Sequence, residues 1–412
     1  MPASEFVALA VLVLALVGVL WRPFGTRDWM WTCGAALIVL LSGLLSLADA
    51  GSTLAAVTPV LAFLVGVSVV AELSSHAGVF ERAAFVLARW SRGHNLRLFL
   101  WVFALAAFAT SIFSLDGAVV VMTPVVVHLA RMPGVRLLPL AFTVIYVANC
   151  GSLLFPVSNL TNLLAVELTG MSFFEYTARM WLAAVLVLAV TGLLLWIRFR
   201  SGLATSFTAV QPPPASDVVL LRLAGIICII MLPGFFVAGL LGVGVEWIAL
   251  GAALVLAVAF LARGSSGWNI VRTVPWQVLF FVIGLFLIVA AARDSGLGTQ
   301  VGRLMTLLAG DELAPLLGSA GLATLAANLL NNLPAFLILA PDAIGAQLGA
   351  VLVGVNAGPM LTPIGSLATV LWLHLIRRHQ AQPPRTATFV WFGLLATPPI
   401  VLVGTIGVWL TG

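Results

Sequence analysis

Residues 149–164 read NCGSLLFPVSNLTNLL, and residues 356–371 read NAGPMLTPIGSLATVL. The two strings align without a gap, and Asn, Gly and Pro recur in them at the same spacing. In both strings, polar and helix-breaking residues interrupt an apolar segment that is long enough to cross a bilayer. Interruptions at corresponding places in two halves of a chain indicate broken helices that meet near the membrane midplane.

Two further pairs of strings extend this internal repeat. FLVGVSVVAELSSHAG (63–78) aligns with FVIGLFLIVAAARDSG (281–296), and SLDGAVVVMTP (114–124) aligns with NNLPAFLILAP (331–341). Chance similarity between apolar segments is the alternative explanation. The gapless matches of Asn, Gly and Pro argue against it, because a bias toward Leu, Val and Ala does not produce them.

The repeat defines the organisation of the chain. We predict a first repeat over 1–200, a cytoplasmic linker over 201–217, where Pro and Ser are frequent, and a second repeat over 218–412. Because the first repeat is predicted to cross the membrane five times, the second starts on the opposite side. This arrangement is an inverted-topology repeat.

The composition is that of a membrane protein. The chain has 412 residues, of which 62% are hydrophobic and 8% are charged, whereas a soluble domain has about 25% charged residues. We therefore expect an all-α polytopic protein of the inner membrane, in contact with the lipid bilayer, with about ten transmembrane spans. The expected spans lie near 5–21, 29–48, 54–73, 138–168, 180–197, 218–240, 245–262, 275–292, 344–376 and 388–410. The first is read as a retained span and not as a signal peptide.

The basic residues set the orientation of the chain. All 19 are Arg, and most of them stand in the short connections between apolar segments, which is the positive-inside pattern and not a nucleic-acid surface. Arg22 and Arg27 place the loop after the first span in the cytoplasm, with the N-terminus outside. The complete topology leaves three of the 19 arginines outside, namely Arg179, Arg293 and Arg303.

Two apolar segments are predicted to be re-entrant hairpins. Arg pairs flank the segment 98–130 on both sides, and only a hairpin that returns to the cytoplasm keeps both pairs inside. Its predicted tip is 114–117. A second hairpin, 313–342, enters from outside. Non-helical backbone at membrane depth must be buried in protein or face a water-filled cavity, so both hairpins imply a cavity. Amphipathic helices are expected near 76–93 and 294–310.

The candidate binding residues are polar groups beside these interruptions, where the backbone is predicted to unwind around Pro156 in one repeat and around Pro359 and Pro363 in the other. Those in the broken helices are Asn149, Cys150, Ser158, Asn159, Thr161, Asn162, Asn356, Thr362, Gly365, Ser366 and Thr369. Those at the hairpin tips are Asp116, Gly117, Asn331 and Asn332, with Asn328 close by. The alternatives are hydrogen bonds that only join helices and, for Asp116, a hairpin cap in contact with water.

The candidate site has no fixed cation, since no Arg lies between Arg136 and Arg179 or between Arg303 and Arg377. Such a site suits a small neutral polyhydroxy solute, or an anion that travels with a coupling cation. No HExxH string, paired intramembrane Asp or Ser–His arrangement is present, which argues against an intramembrane enzyme. The three cysteines have neither disulfide nor zinc spacing, and we expect no cofactor and no metal.

Several of these strings resemble the arsenical pump membrane proteins, the ArsB-type arsenite and antimonite efflux permeases of the ion transporter superfamily. The similar strings are GPMLTPIGSLATVLWLH (358–374), DGAVVVMTP (116–124), VSNLTN (157–162) and NNLP (331–334). The resemblance covers nearly the whole chain. It departs from the family pattern at Asn149 and Asn356, where acids are expected, and at Met360, where a Lys is expected.

The resemblance implies a scaffold and a mobile transport domain that move past each other like an elevator. It implies export of arsenite or antimonite, driven by proton exchange or by a cytosolic ATPase subunit, and it leaves open whether the protein is a homodimer. A sodium- or proton-coupled dicarboxylate or citrate carrier of the same superfamily is the alternative, with which Ser158, Asn159 and Thr161 are compatible. The second-half string GSLAT (365–369) favours the arsenite branch.

Overall fold

In the computed structural model, helices and short turns account for nearly all of the described chain. The described residues are 3–21, 23–208, 217–378 and 384–412. Arg22 and residues 209–216 of the predicted linker lie outside them. The helices of the first half are α1 (Ala3–Trp21), α2 (Asp28–Leu41), α3 (Leu47–His76), α4 (Val79–Trp90), α5 (Asn95–Leu129), α6 (Leu137–Gly151), α7 (Leu160–Thr169) and α8 (Phe173–Leu203).

The described residues of the second half form ten helices. They are α9 (Val218–Leu241), α10 (Val245–Ala262), α11 (Gly267–Val271), α12 (Trp276–Ala292), α13 (Gly298–Leu307), α14 (Leu313–Leu330), α15 (Asn332–Leu339), α16 (Ala346–Ala357), α17 (Leu367–Arg378) and α18 (Thr386–Thr411). The amphipathic helices α4 and α13 fall inside the predicted segments 76–93 and 294–310.

The helical content confirms the prediction of an all-α polytopic membrane protein. Within the described ranges, eight helical segments are long and apolar enough to cross a membrane, and five shorter apolar helices accompany them. Two of the eight, Asn95–Leu129 and Leu313–Leu330, belong to the hairpins described below and are not single crossings. The count of ten spans stays a prediction.

The turn between the second and third helices lies earlier than we predicted. The expected spans 29–48 and 54–73 place it near residue 50, whereas α2 ends at Leu41 and α3 begins at Leu47. Gly43 takes a left-handed conformation with φ 72°, and the Ser46 side chain accepts a hydrogen bond from the Asp49 backbone N–H and so caps α3. Ser and Gly interrupt the apolar stretch only weakly here, so the sequence did not predict a turn at this position.

The first hairpin is confirmed. Helical geometry in α5 breaks at Ser114, which has φ 63° and ψ 173°. The Asn95 side chain at the start of α5 donates a hydrogen bond of 3.0 Å to the Gly134 carbonyl just beyond its end. A straight helix of this length would hold those residues roughly 50 Å apart. The segment therefore turns back on itself at Ser114, within the predicted tip.

The second hairpin has the same construction. Asn331, which the repeat aligns with Ser114, has φ 82° and ψ 155° and separates α14 from α15. The chain enters near Asp311 and leaves near Gly345, where an added Cβ would lie 4.0 Å from the Asp311 carboxylate. Both tips thus use a non-glycine residue in a region of backbone space that is nearly restricted to glycine.

The helices pack into two groups. The scaffold group comprises α1–α3, α9, α10 and α12, and in it α3 packs on α10 and α2 on α12. Gly66 and Gly284 make these two crossings possible, because an added Cβ would lie 2.6 Å from the backbone of Ala249 and of Thr32 respectively. The hairpin group comprises α5–α8 and α14–α18, in which α8 packs on α18 and each hairpin packs on the broken helix of its own half.

Candidate functional site

Two broken helices form the centre of the hairpin group. In the first, α6 ends at Gly151, a single 3-10 turn spans Pro156–Ser158, and α7 begins at Leu160. In the second, α16 ends at Ala357 and α17 begins at Leu367. Proline removes a backbone donor and disfavours continuation of a helix, so the breaks lie where Pro156, Pro359 and Pro363 were predicted to unwind the chain.

The two broken helices are joined by a buried cluster of amides. The Asn356 Oδ1 accepts hydrogen bonds of 2.8 Å from Asn159 Nδ2 and 2.8 Å from Thr161 Oγ1. The Asn356 Nδ2 donates to Asn162 Oδ1 at 2.7 Å. The four side chains are at most 3% exposed. We call these residues the Asn356 cluster; they were predicted from both halves, and the structure brings them together.

The same cluster holds the unwound backbone of the first half. The Asn162 Nδ2 donates to the carbonyls of Ser152 and Phe155 at 2.6 and 3.0 Å. Buried carbonyls need such partners when a helix is interrupted. Ser152 was not among the predicted site residues, although its Oγ accepts a hydrogen bond of 3.3 Å from Asn159.

A second polar junction joins the second hairpin tip to the loop between α16 and α17. The Asn328 Nδ2 donates to the Thr324 and Gly358 carbonyls at 2.8 and 2.9 Å, and its Oδ1 accepts from the Thr362 backbone N–H at 2.9 Å. Beside it, the Asn331 side chain donates to the Ile364 carbonyl at 3.2 Å.

Two glycines of the predicted set fit against these tips. A Cβ on Gly365 would lie 2.7 Å from Asn328 Oδ1, so this position has no room for a side chain. At the first tip, a Cβ on Gly117 would lie 2.9 Å from the Phe113 Cβ. The neighbouring Asp116 is half-buried, and its Oδ1 is buried with no hydrogen-bond partner within the described ranges.

The remaining predicted residues do not join the Asn356 cluster. The Asn149 Nδ2 donates to its own helix at the Ile145 carbonyl, 2.9 Å away, while its Oδ1 accepts no hydrogen bond from any described residue. The hydroxyls of Ser158, Ser366 and Thr369 are also buried, and no described residue forms a hydrogen bond with them. Each such group costs about 1–3 kcal/mol if it stays unpaired. Cys150, on α6, and Asn332, at the start of α15, are buried and contribute no hydrogen bond to the cluster.

Two aromatic residues of this region were not predicted from the sequence to have a role in the site. Tyr146 on α6 and Trp372 on α17 are fully buried, and the Tyr146 hydroxyl and the Trp372 indole N–H have no hydrogen-bond partner in the described part of the chain. From the sequence they are indistinguishable from ordinary core aromatics, and no pattern at these positions points to a polar role.

Helix ends add to the polarity of the site. Short helices begin at the interruptions, namely α7 at Leu160, α15 at Asn332 and α17 at Leu367. The first backbone N–H groups of a helix have no partner within it and carry partial positive charge. They can therefore hold hydroxyl or anionic oxygens without a cationic side chain. In the described ranges, no group of three His, Cys, Asp or Glu could hold a metal.

Cavities lie between the scaffold and hairpin groups on both predicted sides of the membrane. One of about 550 Å³ is lined by α3, α7, α12 and α15, with Glu167 and Arg293 in its wall. The other, of about 450 Å³, lies on the predicted cytoplasmic side and includes Arg27, Gln277 and His374. Both cavities border the contact between the two groups.

Comparisons with known proteins identify the family to which the chain belongs. The family model described as "Arsenical pump membrane protein" matches residues 7–411. An arsenical pump membrane protein of Escherichia coli is 31% identical over 416 residues, covering 96% of each chain, and one of Yersinia enterocolitica is 30% identical over the same share. The crystal structure of the Alcanivorax borkumensis YdaH transporter, reported to have an unusual topology, is 20% identical. It matches with a TM-score of 0.58 over 93% of this chain and 97% of that one. The chain therefore belongs to the arsenical pump membrane protein family and is a multi-pass transporter of the inner membrane, not an enzyme.

Proposed function

We propose that this protein exports arsenite and antimonite from the cytoplasm in exchange for protons. The observation that carries the proposal is the chemistry of the site, where amides, hydroxyls and helix N-termini meet at the broken helices without a cationic side chain. Arsenous acid is a neutral triol at pH 7. Its three O–H groups both donate and accept hydrogen bonds, as Asn, Ser and Thr side chains do.

The proposed movement is an elevator-like shift of the hairpin group against the scaffold group. Two arguments support it. The scaffold helices pack mainly on one another, as do the hairpin helices, so each group is built to stay intact. Cavities of about 450 and 550 Å³ lie at the contact on opposite predicted sides, where a solute carried by the hairpin group would enter and leave.

The test is expression in a bacterial strain that lacks arsenite exporters. We expect higher tolerance of arsenite and antimonite and less arsenic in the cells, and we expect everted vesicles to accumulate arsenite when a pH gradient is imposed. Gly365→Val is the matched inactive variant, because its side chain would collide with Asn328 and the Pro359 carbonyl. Gly251→Ala, with open space around it, controls for substitution as such.

Unchanged tolerance with normal amounts of protein in the membrane would refute arsenite export. If citrate or succinate uptake appeared instead, the protein would be a dicarboxylate carrier of the same superfamily. Arsenite transport that needs ATP and ignores the pH gradient would replace proton exchange with an ATPase partner.

A further inference from the structure

Each broken helix contacts the opposite half of the chain along one helix–helix interface, which we call a seam. The internal repeat makes the two seams equivalent. In one seam, α16 of the second half contacts α7 of the first, and in the other, α6 of the first half contacts α17 of the second. In the α16–α7 seam the Asn356 side chain uses both its oxygen and its nitrogen in hydrogen bonds to the other half. In the α6–α17 seam the equivalent Asn149 leaves its Oδ1 free.

In the α6–α17 seam, five buried polar atoms have no hydrogen-bond partner among the residues that the structure describes. They are Tyr146 Oη, Asn149 Oδ1, Ser366 Oγ, Thr369 Oγ1 and Trp372 Nε1. Each of these residues is 0% exposed. Buried polar atoms in proteins are almost always paired with protein or with a bound molecule, so a cluster of five in one seam indicates a place for a polar ligand.

Aromatic contacts place these atoms along a common strip. The rings of Phe142 on α6 and Trp372 on α17 are 6.0 Å apart. Tyr146 and Trp372 also share Phe389 as a neighbour, at 6.2 and 6.1 Å. α6 and α17 are predicted to cross the membrane in opposite directions. The residue one helical turn after Phe142 therefore faces the residue one helical turn before Trp372.

From this antiparallel register we infer that Tyr146 lies opposite Thr369 and Asn149 opposite Ser366, since these residues follow at helical spacing. The repeat supports the same pairing independently. The Asn356 partners Asn159 and Asn162 align with Ser366 and Thr369, so Asn149 should face Ser366 and Thr369 as Asn356 faces its own partners.

The two seams differ where the repeat would make them alike. The positions that correspond to Tyr146 and Trp372 are Val353 and Ala165, which have no polar side-chain atom. The α16–α7 seam is thus closed by its own amides and has apolar residues at these two positions, while the α6–α17 seam carries additional donors that no described residue uses.

We propose that the α6–α17 seam binds the transported solute, a small uncharged polyhydroxy compound, and that Tyr146 and Trp372 help to select it. This inference rests on the proposed function. The Trp372 indole supplies a donor, Asn149 Oδ1 supplies an acceptor, and the three hydroxyls supply either. That set matches a solute whose O–H groups donate and whose oxygens accept, and it leaves a fully ionised anion short of charge compensation.

The test removes single unpaired polar atoms. Tyr146→Phe and Thr369→Val keep the shape of the side chain and delete only a hydroxyl. For each we expect the KM for arsenite uptake into everted vesicles to rise by roughly 2- to 10-fold, which corresponds to one lost hydrogen bond. The thermal midpoint of the purified ligand-free protein should stay equal or rise, because an unpaired buried group has been removed.

Tyr176→Phe is the matched control. Tyr176 is as buried as Tyr146, but its hydroxyl already donates to the Leu153 carbonyl at 3.2 Å. Its loss should lower the thermal midpoint and leave KM unchanged. This opposite pattern separates a binding role from a structural one.

The outcomes distinguish the two proposals. A wild-type protein that moves neither arsenite nor antimonite refutes the proposed function. A wild-type protein that moves arsenite, together with an unchanged KM in both Tyr146→Phe and Thr369→Val, refutes the α6–α17 site alone. A large loss of thermal stability in either variant also refutes it, because it would show that the hydroxyl has a protein partner.

Discussion

Equivalent side chains in the two halves have different surroundings. Asn149 and Asn356 occupy the same place in the aligned strings, yet only Asn356 is fully hydrogen-bonded across the halves. The sequence predicted that these residues border the broken helices, because Gly and Pro beside them interrupt an apolar segment. It could not predict the pairing, because Asn356 and Asn162 are 194 residues apart and only the packed fold brings them together.

Asp116 is the residue at which we expect proton coupling. It stands at the first hairpin tip with a buried carboxylate oxygen that no described residue contacts by a hydrogen bond, and the broken-helix strings contain amides in place of further acids. An ionisable side chain at membrane depth is costly and is usually retained for function. We predict that Asp116→Asn abolishes arsenite uptake driven by a pH gradient. Counterflow in proteoliposomes should persist, since the amide keeps the shape of the acid.

Asp311→Asn is the control for this variant. Because Asp311 is exposed, its substitution should leave both assays unchanged. Continued pH-driven uptake by Asp116→Asn would mean that Asp116 only caps the hairpin. Proton coupling would then have to involve another group, such as Glu72 on α3 or Glu167 in the wall of the 550 Å³ cavity.

The hairpins and broken helices were predictable elements, because each has a local sequence signal. Arg pairs on both sides of 98–130 require the chain to return to the side it came from, and Ser114, where the chain turns, lies at the predicted tip. The early turn between α2 and α3 was not predicted, because Ser42 and Gly43 barely interrupt the apolar pattern there. The helix pairs α2–α12 and α3–α10 also have no local signal, since they join different halves.

Two glycines allow these helix pairs to pack closely. We predict that Gly66→Ala and Gly284→Ala each destabilise the protein by about 1–3 kcal/mol, because the added methyl group must displace the backbone of the partner helix. Gly251→Ala on α10 is the control, with nothing within 4 Å of its added Cβ; it should be neutral or slightly stabilising. Unfolding midpoints in detergent measure the effect. Equal midpoints for all three variants would contradict the close packing.

At the scale of the whole molecule, the inverted repeat stays a prediction that several features support. The tips Ser114 and Asn331 share an unusual backbone conformation, and Gly66 and Gly284 lie at matching crossings of opposite halves. Each half contributes three helices to the scaffold group and its hairpin, broken helix and last span to the hairpin group. In the proposed movement, the hairpin group slides along its plane of contact with the scaffold group, and neither core opens.

A reversible cross-link across that plane tests the movement. Phe173 at the start of α8 belongs to the hairpin group and Gly239 near the end of α9 to the scaffold group, and a Cβ on Gly239 would lie 2.8 Å from the Phe173 Cβ. A small relaxation reaches the Cβ separation of about 3.5–4.5 Å that a disulfide needs. We predict that oxidised Phe173→Cys/Gly239→Cys, with Cys33 and Cys228 replaced by Ser, loses arsenite transport and regains it on reduction.

The matched control lies within the scaffold group, where the Ser74 Oγ is 3.3 Å from the Cys228 Sγ. Ser74→Cys can therefore form a disulfide that leaves the plane free, and its oxidation should not slow transport. If the first disulfide forms quantitatively and transport continues at the wild-type rate, α8 and α9 do not move past each other. Access would then have to alternate by local opening at the hairpin tips, with the two groups fixed.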